Sequence, residues 1–366
     1  MSGGPAVHQL LPVLSYGDAI GGAVLRMRAM LRGLGFRSTI YADLIDRRLS
    51  REARPADELP GALAREDALL YHLSIGSPLA RLVEASPARR VIVYHNLTPP
   101  EFYRGTSPRV VYWLERGERE LQRLAPLADL VVGDSTYNLE APLAAGARRH
   151  TVIPPPVDLG RLAPRPSAPA LPPVVLFVGR IAPNKRQEEL IRVIAAARAT
   201  TLPEARLVLA GSADDTGGYL AGLHALADRL GVAGSVDVPG RRLSDAELGA
   251  QYAQASVFAC ASDHEGFCIP LLEAMAFSVP VVAHAAGAVP ETLGGAGVLV
   301  KSRDPLVWAE LVGRVVGDGR LRGELAAAGR RRLAAFSEEA ISARLAEALR
   351  GIGVSPPPRR PRRWGR

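Results

Sequence analysis

Short apolar runs alternate with stretches of helical periodicity along both halves of this chain, and that alternation leaves little choice of fold. Strands joined through helices pair in parallel, because each helix carries the chain back across the sheet. The runs fall around residues 7–14, 38–42, 69–72, 91–95, 130–132 and 151–153 in the first half, and around 174–178, 206–210, 236–238, 257–261, 279–284 and 298–300 in the second. Between the halves, residues 162–173 (LAPRPSAPALPP) hold five Pro in twelve positions, the composition of an interdomain linker. The expected class is α/β, with two Rossmann-like, doubly wound parallel-sheet domains over 1–161 and 174–352 and a linker over 162–173. The helical segment at 337–352 is placed to pack back on the first domain, and residues 353–366 read as a disordered basic tail. A length of 366 residues exceeds one comfortable core, in keeping with two domains.

Composition narrows the function. Apolar and charged contents of 48% and 22% are those of a soluble globular protein. The start lacks a basic segment followed by an apolar one, and no apolar run approaches the roughly 18 residues that cross a bilayer, so the expected location is cytoplasmic. Cys260 and Cys268 cannot by themselves complete a disulfide framework or a zinc site, and both are expected reduced, with no bound metal. The net charge of +8 falls to +3 without the five Arg of the last eight residues, and no aromatic-plus-basic motif appears, which argues against a nucleic-acid partner. The tail, with Trp364, is either a solvated terminus or a peripheral contact with anionic lipid.

Two segments carry the chemistry. Residues 263–275 (DHEGFCIPLLEAM) place Glu265 and Glu273 eight residues apart, after the apolar run 255–262 and around the start of a helix opened by Pro270. Glu265 is expected in the loop and Glu273 in the first helical turn. Beyond the carboxyl end of a parallel strand, ligands bind and a helix start favours anions. Two acceptor side chains there suit a polyhydroxylated phosphate ester. The other segment, VVLFVGRIAPNK, ends an apolar strand at Gly179 and follows it with Arg180 and Lys185. Of 45 basic residues only Lys185 and Lys301 are lysine, so drift towards Arg has spared few positions. A guanidinium fork and a compact ammonium together can hold different oxygens of one diphosphate. Lys301 reads as a strand-end surface residue.

Each residue also has a duller explanation. Glu273 alone is an acid favoured by the helix dipole, and Glu265 alone a solvated loop residue. His95, at the end of VIVYH, could be a satisfied polar residue, and Gly17, Gly21 and Gly22 could serve only a tight strand-to-helix turn, since they do not make GxGxxG. Asp214 and Asp215 fit a turn or a helix cap better than a metal pair, and Ser135 fits an N-cap, since no GxSxG surrounds it.

VGRIAPNK, LVLAG and DHEGFCIPLLEAMAFSVPVVAHAAGAVPE occur in order, and together they resemble the C-terminal domain of the family 4 retaining glycosyltransferases of GT-B fold, including the Glu, seven residues, Glu signature. In the first half, SYGDAIGGAVLRMRAMLRGLGF resembles that fold's glycine-rich loop and first helix, and VIVYHNLTPPEF a strand ending in a functional His. Cys268 stands where a glycine is common, and VIPPPVD carries prolines where an Asn-Gly turn is usual.

The resemblance implies two domains facing a cleft and transfer of a sugar from a nucleotide-diphosphate sugar, with retention of anomeric configuration and without a metal. No cofactor is implied beyond the donor as co-substrate. Arg180 and Lys185, with Gly179, would serve the diphosphate, Glu273 the ribose, and Glu265 with the backbone of Gly266 and Phe267 the transferred sugar. Gly17, Gly21 and Gly22 would admit the diphosphate from the other side, and His95 would lie near the sugar. The acceptor, a glycan, a lipid-linked sugar or a small molecule, would enter from the N-terminal domain. The competing functions are a sugar-nucleotide epimerase or hydrolase on the same scaffold and a non-catalytic nucleotide-sugar-binding protein.

Overall fold

The computed structural model describes residues 4–163, 171–214 and 216–356. Residues 164–170 of the proline-rich linker, Asp215, and the basic tail from 357 onward lie outside the described residues. The described residues divide into two compact units. One comprises those of Met1–Leu97, Glu115–Val157 and Phe336–Arg366, the other those of Thr98–Leu114 and Asp158–Ala335.

The first unit is built on a parallel sheet of β1 (Val7–Leu14), β2 (Ile40–Ile45), β3 (Ala53–Pro55), β4 (Ala68–Leu73), β5 (Arg89–Tyr94), β6 (Leu130–Gly133) and β7 (His150–Val152), in the order β3-β2-β1-β4-β5-β6-β7. Strand β3 has no counterpart among the expected runs. It is a three-residue edge strand, Ala-Arg-Pro, without a buried residue, and an edge is where a sheet tolerates Pro. The second unit carries β8 (Val174–Val178), β9 (Arg206–Ala210), β10 (Val236–Asp237), β11 (Val257–Cys260), β12 (Val281–His284) and β13 (Val298–Val300), in the order β10-β9-β8-β11-β12-β13. Every pairing in both sheets is parallel. Helices cover both faces of such sheets, so inner strands are buried on both sides: all six residues of β4, His72 among them, and all four of β11 are buried.

The helices are α1 (Ala19–Gly33), α2 (Ala80–Glu84), α3 (Pro108–Leu124), α4 (Thr136–Ala144), α5 (Gln187–Ala199), α6 (Tyr219–Arg229), α7 (Asp245–Gln254), α8 (Ile269–Ala276), α9 (Val289–Leu293), α10 (Pro305–Gly317), α11 (Gly319–Leu333) and α12 (Glu338–Gly351). Among the described residues, none is long and apolar enough to cross a membrane. Ser135 caps α4 by accepting from Asn138 N at 3.2 Å. Asp214 lies in a turn, while α6 opens after Gly218.

Two segments depart from a simple cut at the linker. Residues 98–114 group with the second unit, where the turn Pro100–Tyr103 packs against the turn Pro183–Lys185. Helix α12 joins the first unit because its apolar stripe, Ile341, Leu345 and Leu349, enters the cluster formed by Met27, Leu70, Val91 and Leu130. That stripe recurs every four residues, the spacing of one helical face. Leu345→Ala is therefore expected to cost about 2–5 kcal/mol of stability, the range for emptying a buried leucine site, measured by urea denaturation followed by far-UV circular dichroism.

Candidate active site

In the second sheet the chain runs outward from β8 through β9 to β10, then returns to add β11 on the other side of β8. The loops leaving β8 and β11 therefore diverge at their carboxyl ends, the position where open α/β sheets bind ligands. Both motifs singled out above occupy these two loops.

The loop leaving β11 is held from three directions. Arg303 donates to the Ala261 carbonyl at 2.6 Å and pairs with Asp263, whose backbone N–H donates to the Asn184 carbonyl at 3.0 Å. The Glu265 carbonyl accepts from Ala288 N at 2.9 Å, and the Phe267 carbonyl accepts from the Thr292 hydroxyl at 2.6 Å. Gly287 runs so close to this loop that a Cβ placed on it would meet the Glu265 carbonyl oxygen at 2.5 Å, and its φ of +54° lies in the left-handed region. Cys268 then turns the chain into α8 with φ +69°, a conformation that side chains other than glycine's enter only at a cost of about 1–2 kcal/mol.

Glu265 is buried and accepts from Lys185 Nζ at 2.8 Å. Burial opposes the Lys185 charge most strongly, but the charge and hydrogen bond of Glu265, together with the nearby Cys268 and Cys260, more than offset it and raise the lysine above its ordinary value. The two residues come from the two diverging loops, so the pair joins them directly. Arg180 follows β8, its backbone carbonyl accepting from Gln187 Nε2 at 2.8 Å. Its side chain is exposed and, among the described residues, forms no ion pair. Gly179 has a partner that the sequence did not reveal: a Cβ on Gly211, just after β9, would lie 1.8 Å from the Gly179 carbonyl oxygen, so Gly211 must be bare for the loops to pass.

Glu273 is not in the first helical turn. Helix α8 opens at Ile269 with Pro270 second, which moves Glu273 to the fifth position, beyond the free N–H groups of the helix start. It is instead turned into the protein. One oxygen accepts from Arg161, which also pairs with Asp245, and the other accepts from the Tyr252 hydroxyl at 2.7 Å. Burial opposes the Arg161 charge, and the two carboxylates more than restore it. Burial, then the Glu273 charge, pushes the Tyr252 hydroxyl well above its ordinary value and keeps it a donor. Each carboxylate oxygen retains a second lone pair for a further donor.

Cys260 and Cys268 are both free, buried thiols, and their Sγ atoms and a Glu265 oxygen all lie within 4.8 Å of one another. Contact between the two thiols places Cys260 below its ordinary value and, with burial, Cys268 well above it.

In the first unit, Gly17 and Gly21 have local reasons to be glycine. Gly17 has φ +69°, and a Cβ on Gly21 would meet the Ser15 carbonyl oxygen at 2.7 Å. Gly22 has neither constraint, and a Cβ there would meet open space. His95 sits in a buried chain of hydrogen bonds. The Gln9 amide nitrogen donates to the Val24 carbonyl at 3.1 Å, which leaves its oxygen to accept from His72 Nε2 at 3.0 Å. Burial, then the neighbouring His95, hold His72 neutral, so its Nδ1 accepts from His95 Nε2 at 2.8 Å. His95 Nδ1 lies 2.8 Å from Asp134 Oδ2. Both ring nitrogens are thus committed to the protein, which suits a positioning role and not proton transfer.

Residues 163–332 match the family model described as "Glycosyl transferases group 1". A GDP-mannose-dependent alpha-(1-6)-phosphatidylinositol monomannoside mannosyltransferase of Mycolicibacterium smegmatis is 34% identical over 304 residues, covering 76% of this chain and 74% of that protein. A D-inositol 3-phosphate glycosyltransferase of Segniliparus rotundus is 36% identical over 229 residues, 58% of this chain and 50% of that one. This chain spans about half the length of that second relative. Among solved structures, Anabaena HepE superposes with a TM-score of 0.73 at 20% identity, over 94% of this chain and 99% of that one. Sucrose-phosphate synthase of Thermosynechococcus elongatus gives 0.71 at 22%, over 95% and 99%. With its two doubly wound sheets, the fold is of the GT-B class. The chain belongs to the glycosyl transferases group 1 family.

Gly287→Ala adds a methyl against the Glu265 backbone at a left-handed position, and is expected to cost about 1–3 kcal/mol in urea denaturation. It should also lower turnover, because Glu265 must shift. Gly22→Ala is expected to stabilise α1 by about 0.5–1 kcal/mol, so a weaker donor affinity in that variant would mark a contact with ligand.

Proposed function

We propose that this glycosyltransferase moves a sugar from a nucleotide-diphosphate sugar to an acceptor with retention at the anomeric carbon and without a divalent metal. The observation that carries this reading is the Lys185–Glu265 pair at 2.8 Å, at the divergence of β8 and β11, in loops of which the first also carries Arg180, exposed and without an ion pair among the described residues. Arg180 would grip the diphosphate through its fork, while Lys185 would offer it a point charge and hold Glu265 in place. Glu265, with the backbone of Gly266 and Phe267, would contact the transferred sugar, and Glu273 would use its remaining lone pairs on the ribose. The acceptor hydroxyl attacks on the face from which the phosphate departs. Arg180, Lys185 and the start of α8 stabilise the charge developing on the leaving group, work that a metal does elsewhere. His95 would position the sugar through its fixed ring.

The Mycolicibacterium relative is named for GDP-mannose, which makes that donor the first to test, with UDP-glucose beside it. A thermal-shift panel identifies the donor, and incubation with and without acceptor separates transfer from epimerisation or hydrolysis, which need none. With a lipid-linked acceptor, the basic tail would meet anionic lipid. Equal cosedimentation with anionic vesicles after truncation at Ile352 would exclude that contact.

Lys185→Ala is expected to lower kcat by roughly 10² to 10³, the effect of losing one preorganised donor, and Arg180→Lys should also slow turnover because the fork is lost. Glu273→Ala should act mainly on donor affinity, by about 1.5–3 kcal/mol. Activity should survive a chelator, and proton NMR of the product should show the donor's anomeric configuration. Wild-type kinetics in Lys185→Ala would refute the diphosphate assignment.

A further inference from the structure

The proposed reaction uses Glu265 but neither of the thiols beside it. Cys260 lies at the end of β11, and Cys268 caps α8 in a conformation that favours glycine. The loop between them folds back so that both Sγ atoms and a Glu265 oxygen lie within 4.8 Å of one another, all three residues buried. The two oxygens of Glu265 are divided. Oε2 takes the Lys185 ammonium at 2.8 Å, and Oε1 is turned to Cys260 Sγ at 4.0 Å. The Ser262 hydroxyl lies 3.3 Å from the Cys260 sulfur and steadies it from outside the cluster.

Two thiolates and a carboxylate oxygen form a donor set for a borderline-soft cation that accepts four tetrahedral ligands, with a water completing the fourth position. Bonds of about 2.3 Å to sulfur and 2.0–2.2 Å to oxygen place the ligand atoms about 3.5–3.8 Å apart, a small closure from the observed cluster. Hard cations such as magnesium have no use for thiolates.

Charge balance favours the same occupant. With both thiols protonated, the buried group Lys185, Glu265, Cys260 and Cys268 is neutral. A divalent ion that displaces the two thiol protons leaves it neutral again, and Lys185 keeps its contact on Oε2. A buried charge left uncompensated would be strongly destabilising, and none arises here.

We propose that Cys260, Glu265 and Cys268 form a binding site for a thiophilic divalent cation, zinc or its probe cadmium, and that occupation inhibits the enzyme by withdrawing Glu265 from the sugar. Two metal–sulfur bonds and one metal–oxygen bond form, two protons leave to solvent, and no electrons are transferred. The inhibitory half rests on the assignment of Glu265 to the sugar; the binding half does not.

The test titrates the fully reduced, full-length chain with cadmium alone. One ion per chain is expected, with a thiolate-to-cadmium charge-transfer band and the release of about two protons per ion. Cys268→Gly, which suits a φ of +69° and should fold, is expected to abolish the band. Affinity should fall by more than the roughly 10–100-fold typical of losing a residue that only supports a ligand. Cys260→Ala should do the same independently. Absence of the band, its persistence in both variants, or thiols that only form a disulfide with no cadmium uptake when reduced would overturn the site. Stoichiometric zinc should inhibit transfer by the wild type and spare Cys268→Gly. Metal uptake with undiminished transfer would overturn the inhibitory half and the role of Glu265, while leaving the cadmium site standing.

Discussion

Parallel strands joined by right-handed crossovers cannot all be added on one side of the first strand without leaving one face of the sheet bare. In the second unit the chain solves this by building β9 and β10 on one side of β8 and β11 to β13 on the other. The helices following β8 and β11 therefore cover opposite faces, and the loops that lead into them separate. No side chain creates that opening. It is a consequence of handedness, and the chemistry of Arg180, Lys185 and Glu265 is placed there because these residues follow the two strands in question.

Holding charges in such an opening requires a rigid surround, because burying an ion without a partner is expensive. Lys185 and Glu265 neutralise each other across the two loops. Arg186 and Arg303 both reach Asp263, so the same loop is fixed again two residues earlier. Glu273 is held by Arg161 and Tyr252 with similar redundancy. A site of this kind meets its ligand with its dipoles already oriented, which is where electrostatic catalysis gains most. The same rigidity holds Cys260 and Cys268 beside Glu265, so the group that serves the sugar also lies within reach of a soft cation.

The first unit uses a different device. Gln9, His72, His95 and Asp134 come from β1, the end of β4, and the residues just after β5 and β6, four neighbouring strands whose register aligns them. Each hydrogen bond fixes the direction of the next, and the chain ends on a carboxylate. The outcome is a histidine with an invariant orientation. Its value lies in where it points, since both ring nitrogens are already held by protein partners.

Local information was enough for much of this. The spacing of apolar runs gives twelve of the strands, most of them because a buried parallel strand is largely apolar at consecutive positions, while the edge strands β7 and β10 have no buried residue. It misses β3, whose Ala-Arg-Pro has no burial to advertise. Glycine and proline punctuation puts Arg180, Lys185 and Glu265 in strand-to-helix loops, since the backbone conformations involved are sequence-local. What the sequence could not supply was distance between residues far apart in the chain. Arg161 and Tyr252 on Glu273, Gly211 against Gly179, Gly287 against Glu265, and His72 and Asp134 on His95 carry no local signal, because each pairing depends on strand order and register. The helix that starts at Ile269 also shows the limit: Glu273 lies one position beyond its first turn, and its inward contacts with Arg161 and Tyr252 come from residues far off in the sequence. Sequence by itself determined the class of fold and the residues able to do chemistry. Only tertiary structure decided which of them meet, since contact is set by how strands are ordered in space and not by their order along the chain.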